Sequence, residues 1–282
     1  REDVNTDGRH AEVKFSIDWK KDASRRDLTI NSIYADVNGN LFDPFNGKND
    51  LKNGSIKFIG DPEERIKEDY LRILRYLRFF LIYSSHKHDQ KILKLLRRNI
   101  SGISNLSKDR LFDELKKFIT SKVLIKLSND RASLELFEII FPQLKNISIF
   151  KNPNFFAKSK LDEKDMIFLI SLLIVDKSDN FEFFIYKFNI SKKDQKRILF
   201  LNDCLKNKNN KNFNTKNLWK ILYFYGKENL LDLINFHIFI SKKVDKKLLN
   251  FIDFFKDKKA PLLPLRAITL MTKYNIPEGK EL

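Results

Sequence analysis

Only one cysteine, Cys204, occurs in 282 residues. An internal disulfide is therefore excluded, and the usage fits a reducing compartment, which points to a cytoplasmic location. Histidine is scarce as well, and His10, His86, His88 and His237 form no metal-ligand spacing with Cys204. Long apolar runs are missing. The longest, MIFLISLLIV (Met166–Val175), is too short to span a bilayer and reads as a core helix, so no membrane partner is expected. Acids are in deficit: 37 Asp and Glu face 54 Lys and Arg, leaving a net charge of +17. That excess points to a polyanionic partner, nucleic acid first. A Lys- and Asn-rich surface set by biased codon usage, as in KNKNNKN (Lys206–Asn212), gives the same count. No fixed-period repeat occurs, which argues against a solenoid. The first residue is Arg1 rather than Met, so the natural start is expected upstream, and a targeting peptide is neither claimed nor excluded.

What is present describes a folded chain. Hydrophobic residues make up 42% and charged residues 32%, in a chain long enough for two or more small domains. The β signals are confined to the first sixty or so residues. HAEVKFSI (His10–Ile17) alternates apolar and polar residues, as a half-buried strand does. TINSIYAD (Thr29–Asp36) and NLFD (Asn40–Asp43) flank an Asn38-Gly39 turn, which predicts a hairpin. DPFNGKNDL (Asp43–Leu51) is turn-rich. Asp61-Pro62-Glu63-Glu64 is a helix start, with a capping Asp, Pro in the first turn and acids at the positive end. From there the pattern is almost wholly helical, with breaks near Gly102, Pro142, Pro153, the Asn-rich stretch around residue 210, and PLLPL (Pro261–Leu265).

One stretch stands out. In EDYLRILRYLRF (Glu68–Phe79), Asp69, Arg72, Arg75 and Arg78 recur every third residue. On a helix over Arg65–Phe79, at about 100° per residue, Ile66, Tyr70, Ile73, Leu74 and Leu77 form the packed side. Arg65, Glu68, Asp69, Arg72 and Arg75 gather opposite, and Asp69 and Arg72 lie one turn apart, facing one cleft. A plain reading is a solvated face carrying a Glu68–Arg72 ion pair. A chemical reading is base recognition. Carboxylates only accept hydrogen bonds and a guanidinium is a planar fork of donors. Together they match cytosine and adenine, each of which places an exocyclic amine beside a ring-nitrogen acceptor. Arg75 and Arg78, further along, are then placed to reach a triphosphate.

RRDLTINSIYAD (Arg25–Asp36), DPFNGKNDL, EDYLRILRYLRF and SKDRLFDELKKF (Ser107–Phe118) occur in that order. With TDGRHAEVKFSIDWKKDA (Thr6–Ala23) before them, this series resembles the class II tRNA nucleotidyltransferase and bacterial poly(A) polymerase family. The motifs cover residues 1 to about 120, and the resemblance of the later chain is weaker. It implies an α+β partial nucleotidyltransferase head, then an all-α neck, body and tail, mostly α overall: head 1–60 with a flexible loop, nucleotide-reading neck 61–123, body 124–213 and tRNA-binding tail 214–282. Residue by residue, it implies base reading by Asp69 and Arg72, nucleotide contact by Arg26, and a ribose role for Asp27. Arg75 and Arg78 complete the nucleotide site, mostly on phosphates. Asp43, Gly47, Asp50 and Leu51 match the segment that couples head movement to the switch from CTP to ATP. Ser107, Arg110 and Glu114 match a motif that braces the reading helix. Turn chemistry and helix capping are the structural alternative for these last seven.

The implied activity is tRNA 3′-end maturation: template-independent addition of CMP and AMP from CTP and ATP to the acceptor end, with Mg²⁺. The family's metal carboxylates, a D-x-D pair after a GG…RD stretch, precede the flexible loop, and no D-x-D occurs here in that context. No catalytic or metal residue is therefore expected within this chain, which reads as a fragment truncated at both ends. Poly(A) synthesis, A-only addition and a non-catalytic basic RNA-binding module are the alternatives, and oligomeric state is left open.

Overall fold

A computed structural model describes residues 2–6, 11–14, 18–206, 213–261 and 267–279. It divides into two compact units, one of residues 1–152 and 160–190, the other of 153–159 and 191–282.

The first unit opens with two separate antiparallel hairpins, β1 (Glu2–Thr6) with β2 (Ala11–Lys14), and β3 (Tyr34–Ala35) with β4 (Leu41–Phe42). The β3–β4 turn is made as its Asn-Gly pair predicts. Gly39 takes φ +84°, and Asp36 accepts from the backbone N–H groups of Asn38 and Asn40, each at 2.8 Å. Strand content is smaller than the alternation promises. Thr29–Asn31 is a 3₁₀ turn, and residues 18–24, which carry no alternation, form α1 (Trp19–Ser24), capped by Asp18. His10 and residues 15–17 of the predicted strand lie outside the described residues, as do 207–212, 262–265 of PLLPL and the last three residues.

Helices follow: α2 (Gly47–Lys52), α3 (Pro62–Glu68), α4 (Leu71–Tyr83), α5 (Gln90–Asn99), α6 (Lys108–Phe118), α7 (Ser121–Asn129) and α8 (Arg131–Ile140). The Asp61 carboxylate caps α3 through the N–H groups of Glu63 and Glu64, both at 2.9 Å. Helix α4 supplies the middle of the core, burying Ile73, Leu74, Tyr76, Leu77 and Phe80, with Tyr76 stacked on Phe58 at 5.5 Å between ring centroids. Past α9 (Phe155–Lys160), which but for its last residue belongs to the second unit, α10 (Met166–Ile174) is buried along nearly its whole length, as its apolar run requires, and α11 (Asn180–Phe188) packs on α6. Among the described residues no helix is long and apolar enough to cross a membrane.

The second unit is helical: α12 (Lys192–Lys206), α13 (Thr215–Ile240), α14 (Lys246–Phe255) and α15 (Ala267–Tyr274). Its core joins Leu218, Leu222, Leu230, Ile234 and Ile238 of α13 to Leu248 and Phe255 of α14. Helix α13 is broken at Gly226, whose φ of +82° suits glycine. Arg197 of α12 grips Asp232 of α13 through two parallel bonds, the second at 3.0 Å.

Candidate functional site

The RRD segment is held from both sides. The backbone of Asp27 and Thr29 pairs with that of Ile59 and Lys57, at 3.1 and 3.0 Å, and Leu28 bridges Phe58. This local strand pairing fixes Asp27, whose side chain is buried. One carboxylate oxygen accepts from Asn31 Nδ2 at 2.9 Å and the other from Arg75 Nε at 2.5 Å. Burial alone raises the Asp27 carboxyl, but the Asn31 hydrogen bond and the Arg75 guanidinium outweigh it and hold it below the usual range. Arg26, by contrast, is about half exposed, with its Nη2 3.4 Å from Asp22 and its guanidinium 5.8 Å from the Tyr34 ring centroid. The hydrogen bond from Arg25, aided by that from the Tyr34 hydroxyl, pulls Asp22 down to about 2.

The helix expected over Arg65–Phe79 is not continuous. Helix α3 ends at Glu68, Asp69 is extended at φ −154° and ψ 104°, and α4 starts after Tyr70. Aspartate favours turns and caps over helix interiors because its carboxylate competes for nearby N–H groups. Here Asp69 Oδ1 accepts from the Leu71 N–H at 3.1 Å. The Tyr70 ring packs flat against Gly102, where an added Cβ meets ring carbons at 2.2 Å. Asp69 is thus presented from a junction rather than from a helix face, and its Oδ2 accepts from Arg110 Nη2 of α6 at 2.7 Å. Arg72 lies in the first turn of α4, with Nη1 reaching back to the Arg65 carbonyl and to Glu68, both at 2.6 Å. The ion pair of the plain reading is therefore formed, and it also satisfies an orphan carbonyl near the end of α3.

The arginine row holds three segments together. Arg72 takes Glu68 of α3, Arg75 takes Asp27 of the RRD segment, and Arg78 Nε takes Glu114 of α6 at 2.6 Å. Glu114 is 1% and Arg78 11% exposed, so this pair is nearly dry. Arg78 thus spends its Nε on a brace within the protein. Arg75 uses one nitrogen on Asp27 and keeps 35% of its side chain exposed. Ser107 caps α6 through the Arg110 N–H at 3.3 Å.

DPFNGKNDL folds back on the RRD segment. Asp43 accepts from the Gly47 and Lys48 N–H groups at 2.7 and 2.8 Å, which starts a helix, α2, where turns were predicted. Gly47 sits so close to Thr29 that a Cβ falls 2.1 Å from its carbonyl oxygen. Asp50 accepts from Thr29 Oγ1 at 2.8 Å and Lys57 Nζ at 2.6 Å, while Leu51 stays exposed. Sequence reasoning missed Arg65, whose Nη2 donates to the Ser24 carbonyl at 3.3 Å and to that of Arg26, tying α3 to the RRD backbone. Its place on the helix gives no sign of partners some forty residues away.

No group of three or more His, Cys, Asp or Glu side chains converges among the described residues.

Comparison with known proteins matches residues 1–57 to the poly A polymerase head domain family and residues 88–148 to the "probable RNA and SrmB- binding site of polymerase A" family. A mouse protein named CCA tRNA nucleotidyltransferase 1, mitochondrial, is 52% identical over 122 residues, 43% of this chain and 28% of that one. A CCA-adding enzyme of Staphylococcus saprophyticus is 30% identical over 236 residues, 83% of this chain and 56% of that one. The chain belongs to the class II CCA-adding enzyme and poly(A) polymerase family. It spans between about a quarter and just over half of the length of these two relatives. The fold agrees. A Bacillus stearothermophilus CCA-adding enzyme crystallised with CTP aligns with a TM-score of 0.67 at 18% identity, over 95% of this chain and 67% of that one. A Thermotoga maritima CCA-adding enzyme complexed with tRNA aligns at 0.56 and 18%, over 93% and 66%.

Proposed function

We propose that the chain is the nucleotide-selecting and RNA-holding part of an enzyme that adds CMP and AMP to tRNA 3′ ends. The division into head, neck, body and tail at 1–60, 61–123, 124–213 and 214–282 is part of this proposal, and the two compact units are cut elsewhere, near residues 152 and 190. The observation that carries the reading is Asp69, half-buried at a helix junction and held there by Arg110 from one side and Leu71 from the other. An ionised carboxylate offers about four acceptor sites, so after these two bonds Asp69 still has acceptors for the amine of cytosine or adenine. Uracil and guanine present a carbonyl in that place and are repelled. Arg72 uses one of its nitrogens on Glu68 and Arg65, leaving donors for the ring nitrogen. Arg26 and the outward donors of Arg75 meet the rest of the nucleotide, and Asp27 and Arg78 hold the frame.

The RNA partner is a tRNA acceptor stem with its 3′ end. Exposed lysines on α12 and before and within α14 (Lys192, Lys193, Lys196, Lys242, Lys243 and Lys246) suit its backbone. The Mg²⁺ that the family's chemistry uses is expected on carboxylates preceding the flexible loop, and no step here depends on it. The single buried cysteine suits a cytoplasmic location. The test supplies the gene product containing this chain with tRNA lacking its 3′ end and with labelled CTP and ATP. Two C and one A are expected. A alone, or a long A tail, reassigns it to A-adding or poly(A) enzymes, and no extension leaves only RNA binding.

A further inference from the structure

On the far side of α6 from Asp69 lies a patch shared between α6, inside the 88–148 match, and α11, beyond it. Residues two apart on a helix face away from each other, so Arg110 and Glu114 turn toward α4 while Lys108 and Phe112 turn toward α11. Phe112 stacks on Phe188 at 5.1 Å and meets Phe184 edge-on at 6.3 Å, which fixes the two helices together. Beside this seam, Tyr186 is 82% and Phe183 61% exposed. Lys108 Nζ sits 5.3 Å from the Tyr186 ring centroid, and Lys187 lies over Phe188 at 5.3 Å. Neither ammonium meets a carboxylate among the described residues, whereas the neighbouring Lys116 is neutralised by Asp113 at 2.8 Å. Burial, with Lys108 close by, pushes the Lys187 ammonium below its usual range. Asp179, Glu182, Phe183 and Tyr186 line a groove of about 250 Å³.

Each part of the patch suits one part of a nucleotide. Exposed aromatic faces stack bases with little regard to sequence. Two ammoniums on one seam that meet no carboxylate among the described residues attract a phosphate. Carboxylates beside a ring accept exocyclic amines and repel phosphate, which sets the direction: base toward Asp179 and Glu182, backbone toward Lys108 and Lys187. A helix is about 10 Å across, so a strand passing over the start of α6 links this patch to Asp69. We propose that Tyr186, with Lys108 and Lys187, holds an unpaired nucleotide of the RNA 3′ strand while the strand's end lies at Asp69. This rests on the RNA-binding reading given above.

The test uses the 282-residue chain and two hairpin RNAs, one blunt and one with a short single-stranded 3′ tail containing 2-aminopurine. The tail should be quenched on binding. Tyr186→Ala should weaken binding of the tailed hairpin about tenfold and abolish quenching, Tyr186→Phe should keep both, and the blunt hairpin should bind all three alike. Lys108→Gln with Lys187→Gln should lower the salt slope by about 0.7 per ammonium removed. Tyr186→Ala that binds and quenches like the parent overturns the assignment of this patch alone. A parent chain that binds neither hairpin overturns the RNA reading and this site with it.

Discussion

Removing the charge of Glu114 isolates the brace behind Asp69. In Glu114→Gln, the Arg78 guanidinium stays 11% exposed and loses its carboxylate partner at 2.6 Å, while Lys117, at 3.1 Å from the same carboxylate and 56% exposed, turns to water at little cost. Breaking a buried pair from one side costs about 3–5 kcal/mol. Arg78 keeps a slight opening and lies over the Phe79 ring at 4.2 Å, so the lower end, about 3 kcal/mol, applies. For a folded unit of this size that is a fall in Tm of about 6–12 °C. Replacing both partners, Arg78→Met with Glu114→Leu, leaves no stranded charge and should recover to within about 1 kcal/mol of the parent. Denaturation of the parent, Arg78→Met, Glu114→Leu and the double completes the cycle, with Glu114→Gln measured beside it. A single-variant loss below about 0.5 kcal/mol places the pair among exposed ones, and the bracing of α4 by α6 then fails.

Gly47→Ala drives a Cβ toward the Thr29 backbone and should cost about 1–3 kcal/mol by overpacking, read in urea denaturation; Gly39→Ala, strained at φ +84° but with open space around it, separates crowding from backbone strain. His88 is buried between Tyr76 and Ser133, and burial, partly offset by Asp130, holds its pKa down. The native state therefore takes the proton less readily than the unfolded chain. Stability from this group is full above about pH 6.5 and is lost as pH falls below it, and His88→Gln should flatten that slope in denaturation measured between about pH 5 and 7. Affinity for tRNA should fall steeply between low and moderate salt; a flat profile removes the backbone-contact argument.

The helical order was legible because caps and apolar spacing are local. Asp61 with Pro62, the apolar stretch of α10 and the Asn38-Gly39 turn all lie where the sequence places them. The break at Asp69 was not, because hydrophobic spacing continues through it while the contact beside it, the Tyr70 ring pressed on Gly102, lies some thirty residues on. The arginines show the same division. Their spacing marked the site, but each partner, Asp27 for Arg75 and Glu114 for Arg78, comes from another segment, and only tertiary packing reveals which guanidinium is occupied.

Asp69 is the proposed chooser of bases. Equilibrium binding of CTP, ATP, UTP and GTP to the 282-residue chain, compared with Asp69→Ala at matched folded fraction, tests it without requiring catalysis. A mismatched polar edge costs on the order of 1–3 kcal/mol, so the parent should prefer CTP and ATP by about ten- to hundredfold. Asp69→Ala should bind all four within about a factor of three, because the carboxylate that favours the amine and repels the carbonyl is gone. An unchanged preference in Asp69→Ala, or no preference in the parent, contradicts the account and leaves Asp69 as the partner of Arg110 and nothing more.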